Sequence, residues 1–359
     1  MQKKTQAPRI ALFNHKGGVS KTTSTFNIGW KLAELGKKVL LVDCDPQCNL
    51  TGLMLEYSQD DEYPYESSDV RHPRNIRDSV SPAFDGRPRP IEVSEIQSVP
   101  GRPNLFILPG HVGLSEYESR LAIAHELGGA LVNFQNIPGA IAHAINITAE
   151  KNGIDVVLID LSPSLGAINQ NILMSSDAFI IPMAPDFFSA MALRSLAKTL
   201  PVWGEWSKHA GENATLKSAD YPWTGKPVKF IGSIVQNYRK RIRDGEDRPT
   251  RAFEKWFNNL KSVLESDLFE SFNKAGFLLE QDAYQGMKSN PKEFMVEVPD
   301  FNSLMAISQD LSKPVFTLTR DDINTSGSVA NNQIASVATF DSIYSSAAQK
   351  VNLALQHLQ

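Results

Sequence analysis

Short apolar runs separated by polar turns set the frame of this chain. RIALFN (9–14) reads as a buried strand, the loop HKGGVSK follows, and TTSTFNIGWKLAEL continues as a helix closed by Gly36. KKVLLVDCD is a second buried strand that ends in acid. Strand, glycine loop, helix and strand within about 35 residues make a βαβ unit with a right-handed crossover and a parallel sheet. Further strands are predicted at NLFILPG, IDVVLIDLS, DAFIIPM and VKFIGSIVQN, with helices between them over 115–151 and 166–175. The alternation predicts an α/β fold: a doubly wound, mostly parallel sheet flanked by helices, binding its ligand at the carboxyl ends of the strands.

One domain spanning 1–359 is expected, with three less regular parts. Residues 56–102 are polar and proline-rich and predict a surface excursion with little regular structure, ordered by binding. Insertions are expected at about 202–227 and 239–262. In the first, Trp203, Trp206 and Trp223 suggest a protein interface. At the end of the chain, Phe340, Ile343, Tyr344, Ala347, Val351 and Leu355 fall near one face of a helix packed on the domain.

Composition changes this picture little. At 359 residues and 42% hydrophobic, the chain can bury a large core, and its net charge of −4 offers no global basic field, so nucleic-acid binding would need a local patch. The best run is Arg239, Lys240, Arg241 and Arg243, followed by Arg248 and Arg251. Asp244, Glu246 and Asp247 interrupt it, so a phosphate-contacting patch and a self-compensating solvated loop are equally good readings. No stretch approaches the roughly 20 apolar residues of a membrane span, which predicts a soluble, cytoplasmic protein without membrane contact. Cys44 and Cys48, four apart with no His nearby, read as ordinary reduced thiols.

The chemistry concentrates in Lys16-Gly17-Gly18-Val19-Ser20-Lys21-Thr22-Thr23, between a predicted strand and a predicted helix. Glycines let backbone N–H groups turn toward phosphate oxygens, and the helix N-terminus adds positive potential at the same point. Lys21 would reach the β/γ-phosphates, the Thr22 hydroxyl would ligate Mg²⁺ and Thr23 would face the α-phosphate. The ordinary pattern G-x-x-x-x-G-K-[ST] is broken at both outer glycines, where His15 and Ser20 stand.

The variant K-G-G-x-G-K-T-T, with Ser20 replacing a glycine, resembles the deviant loop of the ParA/MinD family of ATPases. VLLVDCDPQCNLT, DVVLIDLSPSLG and DAFIIPMAPDFFS are similar to that family's later strand motifs, and VQNYR and EVPDFNSL to its nucleotide-base region. The resemblance implies ATP and Mg²⁺ as ligands of a homodimer, with slow, partner-stimulated hydrolysis. It makes Lys16 the lysine that reaches the other subunit's phosphates, Asp45 the residue that positions water near the metal, and Asp160 the acid that holds Mg²⁺. Asp43 sits two residues before Asp45 on the same side of the strand. Asn237 would read the adenine edge, with Pro299 and Asp300 closing the base pocket. It further implies non-specific double-stranded DNA as a partner, a ParB-like or other activating protein, and a cytoplasmic or nucleoid-associated location. The alternative is a nucleotide-sensing interaction module of a regulatory or defence complex in which hydrolysis is incidental. A metal-delivery relative would have to build its site from Cys44 and Cys48 alone.

Overall fold

A computed structural model of the chain describes residues 6–55, 65–67, 71–243 and 246–358. The strands are β1 (Arg9–Leu12), β2 (Val39–Asp43), β3 (Gln97–Ser98), β4 (Leu105–Leu108), β5 (Val156–Asp160), β6 (Ala178–Met183), β7 (Lys229–Tyr238), β8 (Lys240–Arg243), β9 (Glu246–Pro249) and β10 (Phe294–Pro299). Eight of them form one sheet in the order β10-β7-β6-β1-β5-β2-β4-β3, parallel except for the short edge strand β3. β8 and β9 pair as a separate hairpin.

Strands β1, β2, β5 and β6 are buried at every position. That is why they read as unbroken apolar runs: a parallel sheet is covered on both faces. One cover carries α1 (Lys21–Glu34), α2 (Asn49–Met54) and the closing helix Gly327–Ala354. Its core includes Phe26, Ile28, Leu32, Tyr344 and Val351. α1 lies so close to the sheet that a Cβ on Gly29 would come within 2.7 Å of Leu41. The other cover carries α3 (Ile76–Phe84), α4 (Glu118–Leu127), α5 (Ile137–Asn152), α6 (Ala167–Ser175) and α7 (Phe187–Glu212). The doubly wound sheet is therefore as expected, and β1 stands between β6 and β5 where the winding changes direction.

Three expectations are corrected. The described part of 56–102 is not an irregular surface excursion: it holds α3, capped by Asn75, whose side chain accepts from the Asp78 N–H, and the edge strand β3. The chain after α3 is tied to the domain, since Ser94 N–H donates to Thr148 Oγ1 at 3.1 Å and Ile91 N–H to the Tyr221 hydroxyl at 2.8 Å. Residues 56–64 and 68–70 of that segment lie outside the described residues. Trp203 and Trp223 are core residues rather than an interface, and the half-buried Trp206 donates to the His125 carbonyl at 2.9 Å. The segment from 202 is no insertion at its start, because α7 runs through Pro201 to Glu212. Strand β10 was not foreseen; its hydrogen bonds to β7 make it the edge of the sheet. Among the described residues no helix is long and apolar enough to cross a membrane.

Candidate active site

β1 delivers the glycine loop to the carboxyl end of the sheet, and α1 starts at Lys21. Gly18 (φ 70°) and Ser20 (φ 53°) both take the left-handed conformation. For Ser20 this costs on the order of 1 kcal/mol, and the structure gives a compensating contact. The Asn237 side-chain amide, at the end of β7, donates to Ser20 Oγ at 3.0 Å. The loop lines an open cleft of about 760 Å³ whose walls include residues 17–23, Asp45, Pro163 and Met305. Thus Gly17, Gly18, Val19, Ser20, Lys21, Thr22, Thr23 and Asp45 come together as predicted. Met305 is a wall that the sequence did not announce.

Lys21 is buried, and its Nζ donates to the Asn14 carbonyl at 3.1 Å and to the Lys16 carbonyl at 3.4 Å, drawing the loop around itself. Burial lowers its pKa, opposed by the charges of Asp160 and Asp45. The three acids sit on neighbouring strand ends: Asp43 is in register with Asp160, and Asp45 lies just past β2. Asp43 is held by Thr51, whose N–H and hydroxyl donate to Oδ2 at 2.9 and 2.7 Å. Burial pushes the Asp43 carboxyl up to about 6 despite those bonds. Asp160 is raised well above the usual carboxylate range, first by burial and then by Asp43. A carboxylate so destabilised is ready for a cation.

The residues fit Mg²⁺. Asp160 Oδ2 accepts from the Thr22 hydroxyl at 2.6 Å, while Oδ1 is buried with no hydrogen-bond partner among the described residues. A hard cation that takes oxygen ligands would satisfy that orphaned atom beside the Thr22 hydroxyl. Asp45 Oδ1 accepts from the Gln47 N–H at 3.0 Å, which fixes its carboxylate at the edge of the same cleft. Cys44 and Cys48 are free, buried thiols, with Cys48 pushed up to about 12 by burial and by Asp43, so neither is a ready metal ligand.

Lys16 behaves differently from Lys21. Its Nζ pairs with Asp186 and donates to Ser189 Oγ at 3.1 Å. Asp186 is the N-cap of α7, accepting also from the Ser189 N–H at 2.8 Å. Partial burial would raise the Asp186 carboxyl, but Lys16 and the Ser189 N–H outweigh it and hold it below the usual range. Sequence reading missed Asp186 and Ser189, although the run PDFFS after a strand carries the signal of a helix cap. Exposed apolar side chains follow Asp186 on α7, namely Phe187, Phe188 at 67% and Met191, and Val112 stands exposed at 66% on the cleft wall.

The base-pocket residues also converge. Asp300 N–H donates to the Tyr238 carbonyl at 2.9 Å, and Pro299 pairs with Tyr238, so the end of β10 lies beside Asn237. Asn237, Arg239 and Asp300 share a hollow of about 940 Å³. Of the proposed basic patch, Arg239 and Arg251 are exposed, while the side chains of Arg241, Arg243 and Arg248 lie outside the described residues.

Comparison with known proteins agrees with this geometry. A family model described as an AAA domain matches residues 7–208, more than half of the chain. The sporulation initiation inhibitor protein Soj of Bacillus subtilis is 30% identical over 240 residues, covering 66% of this chain and 80% of Soj. Among solved structures, pNOB8 ParA bound to nonspecific DNA superposes with a TM-score of 0.54 at 20% identity, covering 97% of this chain and 98% of its own. An ATP complex of Cyanothece McdA gives 0.52 at 15% identity, covering 95% and 98%. The last two bear on the fold alone. With the loop, the acid cluster and these matches together, the chain belongs to the ParA/MinD family of P-loop ATPases.

Proposed function

We propose that this protein binds ATP with Mg²⁺ in the cleft at residues 17–23, closes into a homodimer over the nucleotide, and hydrolyses it slowly to reopen, so that the nucleotide state sets its affinity for double-stranded DNA. One observation carries the reading: the Thr22 hydroxyl and the orphaned Asp160 Oδ1 lie side by side at the mouth of a glycine loop that already holds a buried lysine. Bound there, Mg²⁺ would neutralise charge on the phosphate oxygens. Lys21 would bind the β/γ-phosphates, exchanging its loop carbonyls for phosphate oxygens, and loop N–H groups would cradle the rest. Asp45, fixed by the Gln47 N–H, would orient the attacking water. Asn237, Pro299 and Asp300 would enclose the base.

Support for the dimer comes from Lys16 and its surroundings. Within one protomer Lys16 is bound to Asp186 rather than directed at its own phosphates, and exposed Phe187, Phe188 and Met191 offer an apolar rim for a second copy. Lys16 would leave Asp186 for the partner's phosphates, a contact of the arginine-finger kind worth roughly 10³ to 10⁵ in rate. The similarity to pNOB8 ParA, whose structure is a complex with nonspecific DNA, supports DNA as the partner of the dimer here. The role that fits is positioning of DNA or another cargo, with an activating protein of the ParB kind. The rival reading as a protein-interaction module loses its main support, because Trp203 and Trp223 are core.

The test is retention of duplex DNA by purified protein with ATP, with ADP and without nucleotide, at about 100 mM salt so that phosphate contacts survive. Retention only with ATP, strengthened by Asp45→Ala, is the expected result. Equal retention in all states, or none, would sink the switch.

A further inference from the structure

The end of the sheet opposite the nucleotide carries a second cleft, of about 690 Å³, between α7 and the loops before β7 and after residue 274. Its position follows from β7: Val228, just before the strand, lines this cleft, whereas Asn237 near the strand's other end meets Ser20. Ten residues of strand separate the two by about 30 Å. The cleft is concave because small residues shape it. A Cβ on Gly225 would fall 2.8 Å from Gly211, so the 225–227 loop sits directly on α7. Across it, Lys229 Nζ is committed to holding the other lip, donating to the Gly276 carbonyl at 2.8 Å and the Leu278 carbonyl at 3.1 Å.

Four further lysines line the cleft and converge from three separate segments: Lys198 and Lys208 from α7, Lys226 from one lip and Lys274 from the other. All four are exposed, and none makes an ion pair or a hydrogen bond among the described residues. Glu205 is the one acid among the lining residues. Asp267 and Glu270 line an adjoining hollow with Lys198 and Lys274, but Asp267 pairs with Arg194, so the four unpaired lysines still outnumber the acids around the cleft and mark a local positive field. Ten residues of helix between Lys198 and Lys208 span about 15 Å, the axial length of some four phosphates on one DNA strand. The cleft offers charge without an exposed aromatic anchor, since Phe277 in its floor is buried. That suits sequence-independent contacts to phosphate better than a protein hot spot.

We propose that this lysine-rimmed cleft, and not only the 239–251 run, receives the phosphate backbone of duplex DNA. The inference rests on the DNA-switch reading above and deepens it. Because the cleft lies at the far end of the sheet, it stays open when two copies close over nucleotide. A protomer then offers one weak site and a dimer offers two, and bivalency of this kind raises affinity by about 10² to 10⁴ when the geometry permits. ATP would switch DNA binding without any change in the cleft itself.

The experiment measures retention of a random-sequence duplex of about 40 base pairs by the full chain with ATP and Mg²⁺, across about 50 to 300 mM salt. The variant combines Lys198→Gln, Lys208→Gln, Lys226→Gln and Lys274→Gln. A control removes the exposed charges Lys151, Lys288 and Arg320, each to Gln. The expected result is a salt slope smaller by about seven units, since the two clefts of the dimer lose eight charges between them, and an affinity at least about tenfold lower in the variant, with little change in the control. Fluorescent-nucleotide binding and ATP-dependent dimerisation should stay at wild-type level and report an intact fold. The pairs Lys198→Gln with Lys208→Gln, and Lys226→Gln with Lys274→Gln, should each lose about half of the slope change, and they carry the test if the fourfold variant misfolds. Wild type that ignores DNA in every nucleotide state overturns the DNA reading and this site with it. Wild type that binds, with the lysine variants matching its slope and affinity or the control falling equally, overturns the placement alone and leaves the cleft to an acidic protein partner.

Discussion

The two ends of the sheet handle charge in opposite ways. At the carboxyl end, Lys21, Lys16, Asp43 and Asp160 are each bonded to named neighbours before any ligand arrives. At the amino end, Lys198, Lys208, Lys226 and Lys274 stand in solvent with no ion pair among the described residues. The difference suits the two roles proposed for these surfaces. Phosphoryl transfer gains from donors fixed before the reaction, because reorganisation then costs little at the transition state. Attraction of a polyanion gains from mobile, hydrated charges that release counterions and tolerate any sequence. One end of the molecule therefore holds its charges in bonds, and the other leaves them to solvent.

That contrast can be broken most severely at Lys21. Lys21→Ala removes a buried donor with two bonds to the loop, and the expected outcome is loss of nucleotide binding by fluorescence titration, with any residual hydrolysis down by at least about 10². Lys16→Ala should separate the functions. ATP binding to the protomer stays within a few-fold of wild type, whereas ATP-dependent dimerisation by light scattering disappears and hydrolysis falls by roughly 10³ or more. A Lys16→Ala protein that dimerises and turns over normally would show that the contact with Asp186 is structural only.

A gentler change is Asp186→Asn. Asparagine caps a helix about as well as aspartate, so α7 should persist, while Lys16 loses its charged partner. Because that pair is partly exposed, its release is worth no more than about 1 kcal/mol, and the dimer fraction at limiting ATP should rise up to about fivefold. An unchanged dimer titration would mean that Lys16 leaves Asp186 at no cost. The smallest effect is expected at Ser20. Ser20→Gly relieves a left-handed residue but forfeits the bond from Asn237, so thermal unfolding should change by less than about 1 kcal/mol. Ser20→Val, β-branched and without a hydroxyl, should cost about 2 to 3 kcal/mol.

Much of this was legible along the chain, and the misses share a cause. Strands β1, β2, β5 and β6 announce themselves because burial on both faces demands apolar residues at each position. β10 did not, since FMVEVP is short and an edge strand carries a weaker pattern, with Phe294, Glu297 and Pro299 only half-buried. α3 hid behind Pro82 and serines that read as loop chemistry. In the folded chain Ser79 and Ser94 contact each other and Ser81 Oγ donates to the Asp78 carbonyl, so those hydroxyls are satisfied inside. Trp203 and Trp223 looked like an interface for a similar reason: sequence shows an aromatic residue but not what covers it.

The glycine loop and the order of the strand motifs were determined by sequence alone, because cradling a phosphate needs consecutive backbone N–H groups and so leaves a contiguous signature. Asp186 against Lys16, Asn237 against Ser20, and the four lysines gathered from α7 and two distant lips were decided only by tertiary structure. Each of these contacts joins segments that are far apart in sequence, up to 217 residues for Ser20 and Asn237. No local pattern records such a meeting, since its geometry is set by how helices and strands pack rather than by any residue's own preference.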